Sequence, residues 1–186
     1  MTIKVKNIRK TGTRQAIIEA FLAIASKKSI EKITILEISE RANVNRATFY
    51  AHFLDKYEVL DEVIGESAAQ MVQLHTKDVY LFNKEKINQL VYAVFEYYEQ
   101  INNTCKGNYE SKIPQLRSRM IDTLRSHLEK CLANIYEQED RTFYARIYAA
   151  LSYEAGYLWA TDQTGLLLGE AAEKVADLIM GGLPNV

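Results

Sequence analysis

The stretch that most constrains this chain runs from Thr34 to Leu60, TILEISERANVNRATFYAHFLDKYEVL. Thr34 is followed three residues later by Glu37, the spacing of a capping box in which each side chain satisfies a backbone donor at a helix start. Ile35, Ile38 and Ala42 then recur at helical spacing. Asn43 stands where so short a helix must stop, and Asn tolerates the left-handed backbone better than most residues. Asn45 is a natural N-cap for a second helix, Arg46 to Phe53. Asp55 with Glu58 repeats the capping pattern for a third. Two short helices about three residues apart have the spacing of a helix-turn-helix.

At 100° per residue, Phe49 and Phe53 share one face of the middle helix and Ala47 and Ala51 lie nearly opposite. The phenylalanines anchor the helix in a small core. The alanines leave a low outer surface, flanked by Thr48 and Tyr50, with Arg46 reaching out from the first turn. A solvated amphipathic helix more often carries Glu and Lys on that face.

Thr34 to Leu60 resembles the DNA-binding segment of the TetR family of bacterial transcription regulators. The resemblance is carried by the Thr-capped helix, the turn ending in Val44, the run Thr48-Phe49-Tyr50-Ala51-His52-Phe53, Lys56 and Leu60. The form Asn-Arg-Ala-Thr-Phe-Tyr-Ala-His-Phe, followed by Asp-Lys-Tyr-Glu, is similar to a branch common in Gram-positive bacteria. Asn43 departs from the family's usual Gly, and Leu36 stands where other members present a polar or basic residue. The DNA-facing set is Thr34, Asn45, Arg46, Ala47, Thr48, Tyr50, His52 and Lys56. Arg46 has the reach to bond a guanine edge and Thr48 to touch a thymine methyl or a phosphate. The resemblance implies phosphate contacts for Tyr50 and His52, and the first turn after Asp55, with Lys56, is placed to hold another.

Charge is divided along the chain. Residues 1–60 hold eleven Lys/Arg against six Asp/Glu, whereas 61–186 hold twelve against eighteen. A basic end on an acidic body suits a protein that meets nucleic acid at one end. Lys4, Lys6, Arg9 and Lys10 form a basic tail, placed equally for solvent or DNA. Two prolines and eight glycines in 186 residues suit an all-helical fold with short connections. The expectation is an all-α protein: a three-helix DNA-binding domain over 1–60 and a larger helical effector-binding and dimerisation domain over 61–186.

Thr11 or Thr13 is expected to cap a first helix ending near Lys27, with Ile17, Phe21 and Ile24 inward. The helix from Lys56 continues through Met71, as the mechanical link between domains. Further helices are expected over Lys84–Ile101, from Pro114 through Cys131, from Asp140 to near Gly165, and over Gly169–Gly181, with Asn102 to Ser111, including Gly107, as a loop. The last two are apolar on more than one side, so a further surface must cover them. Family members dimerise through these helices, which places Tyr144, Leu151, Ala155, Leu158, Val175, Leu178 and Ile179 at a homodimer interface. Phe95, Tyr98, Met120, His127 and Tyr148, at the edges of apolar stripes, are candidates to line an effector cavity. The aromatic, nearly uncharged stripes favour an apolar or aromatic effector.

No phosphate loop, nucleophile motif or acid/base constellation is present, so no enzymatic activity and no cofactor are expected. His127 and Cys131 share a helical face but find no second pair of ligands, so no metal is expected. Two cysteines make no disulfide framework. No signal-peptide pattern or bilayer-length apolar run occurs, so the cytoplasm is expected. The function expected is that of a ligand-responsive regulator, a repressor by the family's habit, on a palindromic operator. The alternative is a partner-binding coactivator that keeps the fold without operator recognition; Arg46, Thr48 and Lys56 favour the first.

Overall fold

The computed structural model describes residues 8–105, 109–161 and 163–181; Lys4, Lys6 and Gly107 lie outside them. These residues form helices α1 (Ile8–Ala25), α2 (Ile35–Arg41), α3 (Arg46–Tyr50), α4 (Lys56–Thr76), α5 (Lys84–Cys105), α6 (Ile113–Cys131), α7 (Gln138–Ala160) and α8 (Leu168–Gly181), with single 3-10 turns at Ile30–Lys32 and Glu110–Lys112. No strand occurs among the described residues. The fold is all-α.

Two compact units are present. One comprises the described residues up to Val63 together with those of Ile101–Lys112. The other comprises Ile64–Gln100 and the described residues from Ile113 onward. The core of the first unit is built from Ile17, Phe21, Ile30, Ile33, Ile38, Phe49, Phe53 and Val59. Ile24, Ala42 and Val44 are only half-buried and sit at its edge. The second unit closes around Ile87, Val91, Val94, Tyr97, Met120, Leu124, Leu128, Tyr153 and Ala176.

Several element ends differ from the sequence expectation. Thr11 and Thr13 lie inside α1 rather than capping it, since the helix is under way at Ile8. Helix α3 ends at Tyr50, three residues short of Phe53. Its exit still bonds backward, with the N–H groups of both His52 and Phe53 reaching the Phe49 carbonyl. Asp140 is in the first turn of α7 and Glu137 is the cap residue, while α5 continues past Ile101 to Cys105. Left-handed backbone at Lys77 and Asp78 stops α4.

One glycine decides how α7 packs. A Cβ on Gly156 would stand 2.6 Å from Val94 Cβ and 2.7 Å from the Val91 carbonyl oxygen. That close approach turns the Ala155–Gly156 side of α7 onto α5, where Ala155 joins Val91 and Ala172 in one buried cluster. Ala155 and Ile179 are therefore buried within a single chain and do not belong to a free dimer surface. Val175 packs against that same cluster and is likewise engaged within the chain. Phe143, Ile147 and Leu178 are left open, at 59%, 45% and 61% exposure, and Tyr144, Leu151 and Leu158 are half-buried. Replacing Gly156 by Val should cost about 1–3 kcal/mol, because neither backbone nor a packed Cβ yields easily. Denaturant unfolding measures it.

Candidate nucleic-acid interface

The turn between α2 and α3 is fixed by side chains bonding to nearby backbone. The Thr34 hydroxyl accepts from the Glu37 N–H at 3.3 Å, and the Glu37 carboxylate accepts from the Thr34 N–H at 2.9 Å. Lys28 also bonds Glu37; with the Thr34 contacts it holds that carboxyl down at about 2. Asn43 has φ 54°, the left-handed conformation that lets the chain turn. Asn45 Oδ1 then accepts from the Thr48 N–H at 2.7 Å and from the Thr48 hydroxyl at 3.0 Å.

These caps orient α3. Phe49 is wholly buried and packs at a tilt against Phe53, with ring centroids 6.0 Å apart. The opposite side presents Asn45, Arg46, Ala47 and Ala51 to solvent, and Tyr50 is 52% exposed. Thr48 and His52 are half-buried beside them. With its hydrogen committed to Asn45, the Thr48 hydroxyl can only accept from a further partner.

The start of α4 differs from a plain capping box. Asp55 Oδ1 accepts from the N–H groups of Tyr57 and Glu58, at 2.8 and 2.9 Å, so those donors are already satisfied. Glu58 reaches back to Leu54 N–H rather than to Asp55. The Lys56 ammonium donates to the carbonyls of Glu31 and Ile33 at 2.6 and 2.7 Å. It thereby pins the segment entering α2, with one ammonium hydrogen left for another acceptor.

Two long-range contacts that no local pattern singles out, centred on Arg14 and Glu31, complete the unit. Arg14 of α1 donates through Nε to Glu62 of α4 at 2.8 Å, pairs with the second Glu62 oxygen, and donates to the His52 carbonyl at 2.7 Å. Its guanidinium lies 4.1 Å from the centroid of Phe53. Glu31 accepts from Ser111 and pairs with Lys112 at 3.2 Å, contacts that hold its carboxyl down at about 2, Ser111 contributing most. Glu31 and Ser111 are 80 residues apart in sequence, so helical periodicity carries no trace of such a pair.

The five candidate effector residues do not converge. Met120 is fully buried, Tyr98 bonds Tyr153 hydroxyl to hydroxyl at 2.6 Å, Phe95 packs edge-on against Trp159, and Tyr148 stacks on Phe82. His127 lines a cleft of about 400 Å³ formed by α4, the 77–83 connection and α6. Among the described residues no group of three or more His, Cys, Asp or Glu is placed to hold a metal, and no helix is long and apolar enough to cross a membrane.

Residues 17–63 match the model of the bacterial regulatory proteins, tetR family. The helix-turn-helix segment belongs to the TetR family. A relative named as an uncharacterized HTH-type transcriptional regulator, YxbF of Bacillus subtilis (strain 168), is 40% identical over 65 residues. The match covers 34% of this chain and only 17% of that relative's length. The whole chain has the fold of TetR-type structures. A TetR transcriptional regulator from Streptococcus agalactiae 2603V superposes with TM-score 0.62 at 20% identity, over 96% of this chain and 99% of that one. The multidrug binding protein EbrR, solved with imidazole, gives 0.63 at 18% identity, over 93% and 92%.

The geometry of the α3 cap is open to a direct check. Asn45→Ala removes the acceptor for both Thr48 hydrogens and should lower stability by about 1 kcal/mol, measured by urea unfolding.

Proposed function

We propose that the protein is a ligand-responsive transcriptional regulator, a repressor that binds a palindromic operator as a homodimer and leaves it when a small molecule binds. The observation that carries this reading is the outward face of α3: low alanines flanked by Arg46, Thr48 and Tyr50, held by buried phenylalanines in a TetR-family helix-turn-helix. The working division is a DNA-binding domain over 1–60 and an effector and dimerisation domain over 61–186.

Arg46 reads a guanine edge, the Thr48 methyl meets a thymine methyl, and Tyr50 and His52 contact phosphates. Thr34, Asn45 and Ala47 shape the approach, and Lys56 gives its remaining hydrogen to phosphate. Arg46→Ala should cost roughly 1–3 kcal/mol in operator affinity and relax one base position. The check is a titration on an operator selected from genomic fragments, repeated with single-base variants. Equal affinity and base preference in the variant would exclude Arg46 from base reading.

The open side of α7 and α8, centred on Phe143, Ile147 and Leu178, supports dimerisation, because apolar groups of that size seek cover. Two-fold symmetry then spaces the recognition helices about 34–36 Å apart, or further on a longer operator. Leu178 is exposed in the single chain, so Leu178→Arg should preserve folding yet yield monomers with weak operator binding. Sedimentation of variant and wild type at micromolar concentration tests this. A monomeric wild type would refute the dimer.

A further inference from the structure

We propose that the cleft between α4, the 77–83 connection and α6 takes a small aromatic organic anion, its carboxylate between Lys130 and His127 and its ring against Tyr80. The proposal deepens the effector reading above and rests on it.

The cleft is formed within the second unit. Ala69 and Val72 give it an apolar floor from α4. Across it, α6 contributes Arg119, His127 and Lys130, and the connection contributes Tyr80. The Tyr80 and His127 rings lie 5.0 Å apart. The Lys130 ammonium lies 4.8 Å from the Tyr80 ring centroid and 3.3 Å from its hydroxyl. One aromatic face, one imidazole and one ammonium are thus gathered at a single end of the cleft.

His127 marks this as a site. It is only 6% exposed, yet its Nε2 has no hydrogen-bond partner. A buried polar atom left unpaired is costly, and a ligand that pairs it recovers that cost. Burial, reinforced by Lys130 and Lys86 and opposed by Asp78, pushes the imidazole below its ordinary range. A neutral imidazole with a proton on Nε2 is a donor without charge of its own. Beside an ammonium that retains two unused hydrogens, it makes a two-point clasp for a carboxylate.

The surrounding charges favour an anion over a cation. Asp122 is paired with Arg125 at 3.3 Å, and Asp78 accepts from the uncharged Gln73 amide at 2.8 Å. Against these two stand Lys130, Lys86 and Arg119, the last exposed at the other end of the same α6 face. The eleven residue steps from Arg119 to Lys130 span about 16 Å of helix. One small carboxylate therefore engages the Lys130 end, and Arg119 acts through its field.

The experiment uses the full-length protein and two matched pairs, benzoate with benzamide and phenylacetate with phenylacetamide. Binding is followed by calorimetry and by the imidazole proton signals of His127. The acids should shift the His127 signals and bind at least tenfold more tightly than their amides. Lys130→Met should remove that advantage, while Lys174→Met on α8 should leave it intact. Equal affinity of acid and amide, no binding of either acid, or an advantage that survives Lys130→Met would overturn the proposal. Operator titration in parallel separates the two readings. Acids that bind here without altering operator affinity would confirm the site and refute ligand release through it. An operator complex released by some other compound, with no acid binding, would refute the site and keep ligand release.

Discussion

The guanidinium of Arg14 is the interaction on which the DNA-binding unit depends. It joins α1 to α4 through both oxygens of Glu62, takes the carbonyl of His52 where the chain leaves α3, and lies over the ring of Phe53. Paired, forked hydrogen bonds from a charged donor are stronger and more directional than neutral ones. The planar fork also presents a face to an aromatic ring, which an ammonium cannot do in the same way. A single side chain therefore sets the distance between two helices and the exit path of a third. Lys56 does a similar task from the other side, tying α4 to the carbonyls of Glu31 and Ile33.

What the sequence made legible was local. The boxes and caps at Thr34, Asn43 and Asn45 depend on neighbours within four residues, and all three stand as their spacing implied. The apolar phase of α2 and α3 was equally clear, because a small core leaves little choice about which side faces inward. The Arg14–Glu62 and Glu31–Ser111 bonds were not legible, since pairing across 48 or 80 residues is a product of the tertiary fold. Helix ends moved by several residues for a related reason. Weak propensities decide an end only where packing does not.

In the larger unit the sequence named the right kind of residue and sometimes the wrong side. Helix α7 is apolar on more than one side, so periodicity could not say which side would meet its own chain. The missing Cβ of Gly156 makes that choice, and Ala155 goes inward with it. The stripe-edge aromatics met the same ambiguity. Tyr98, Met120 and Tyr148 have gone to packing, and His127 opens onto a cleft. Its neighbours there, Tyr80 and Lys130, come from a connection and from a helix side that showed no apolar pattern.

Helix α3 has five residues, and its length has a consequence for time scale as well as shape. A single turn and a half has almost no helical stability of its own, because the cost of nucleation is spread over very few bonds. The amides at its start, Arg46 and Ala47, precede any acceptor inside the helix, whereas Phe49 N–H bonds back to Asn45. In an exchange experiment in heavy water, the α3 amides should thus lose their protons well before those of Val59 or Ile64 on the neighbouring long helix. On the proposed reading, a helix with so little stability of its own can settle its side chains against a groove after first contact, while Phe49 and Phe53 beneath keep its register.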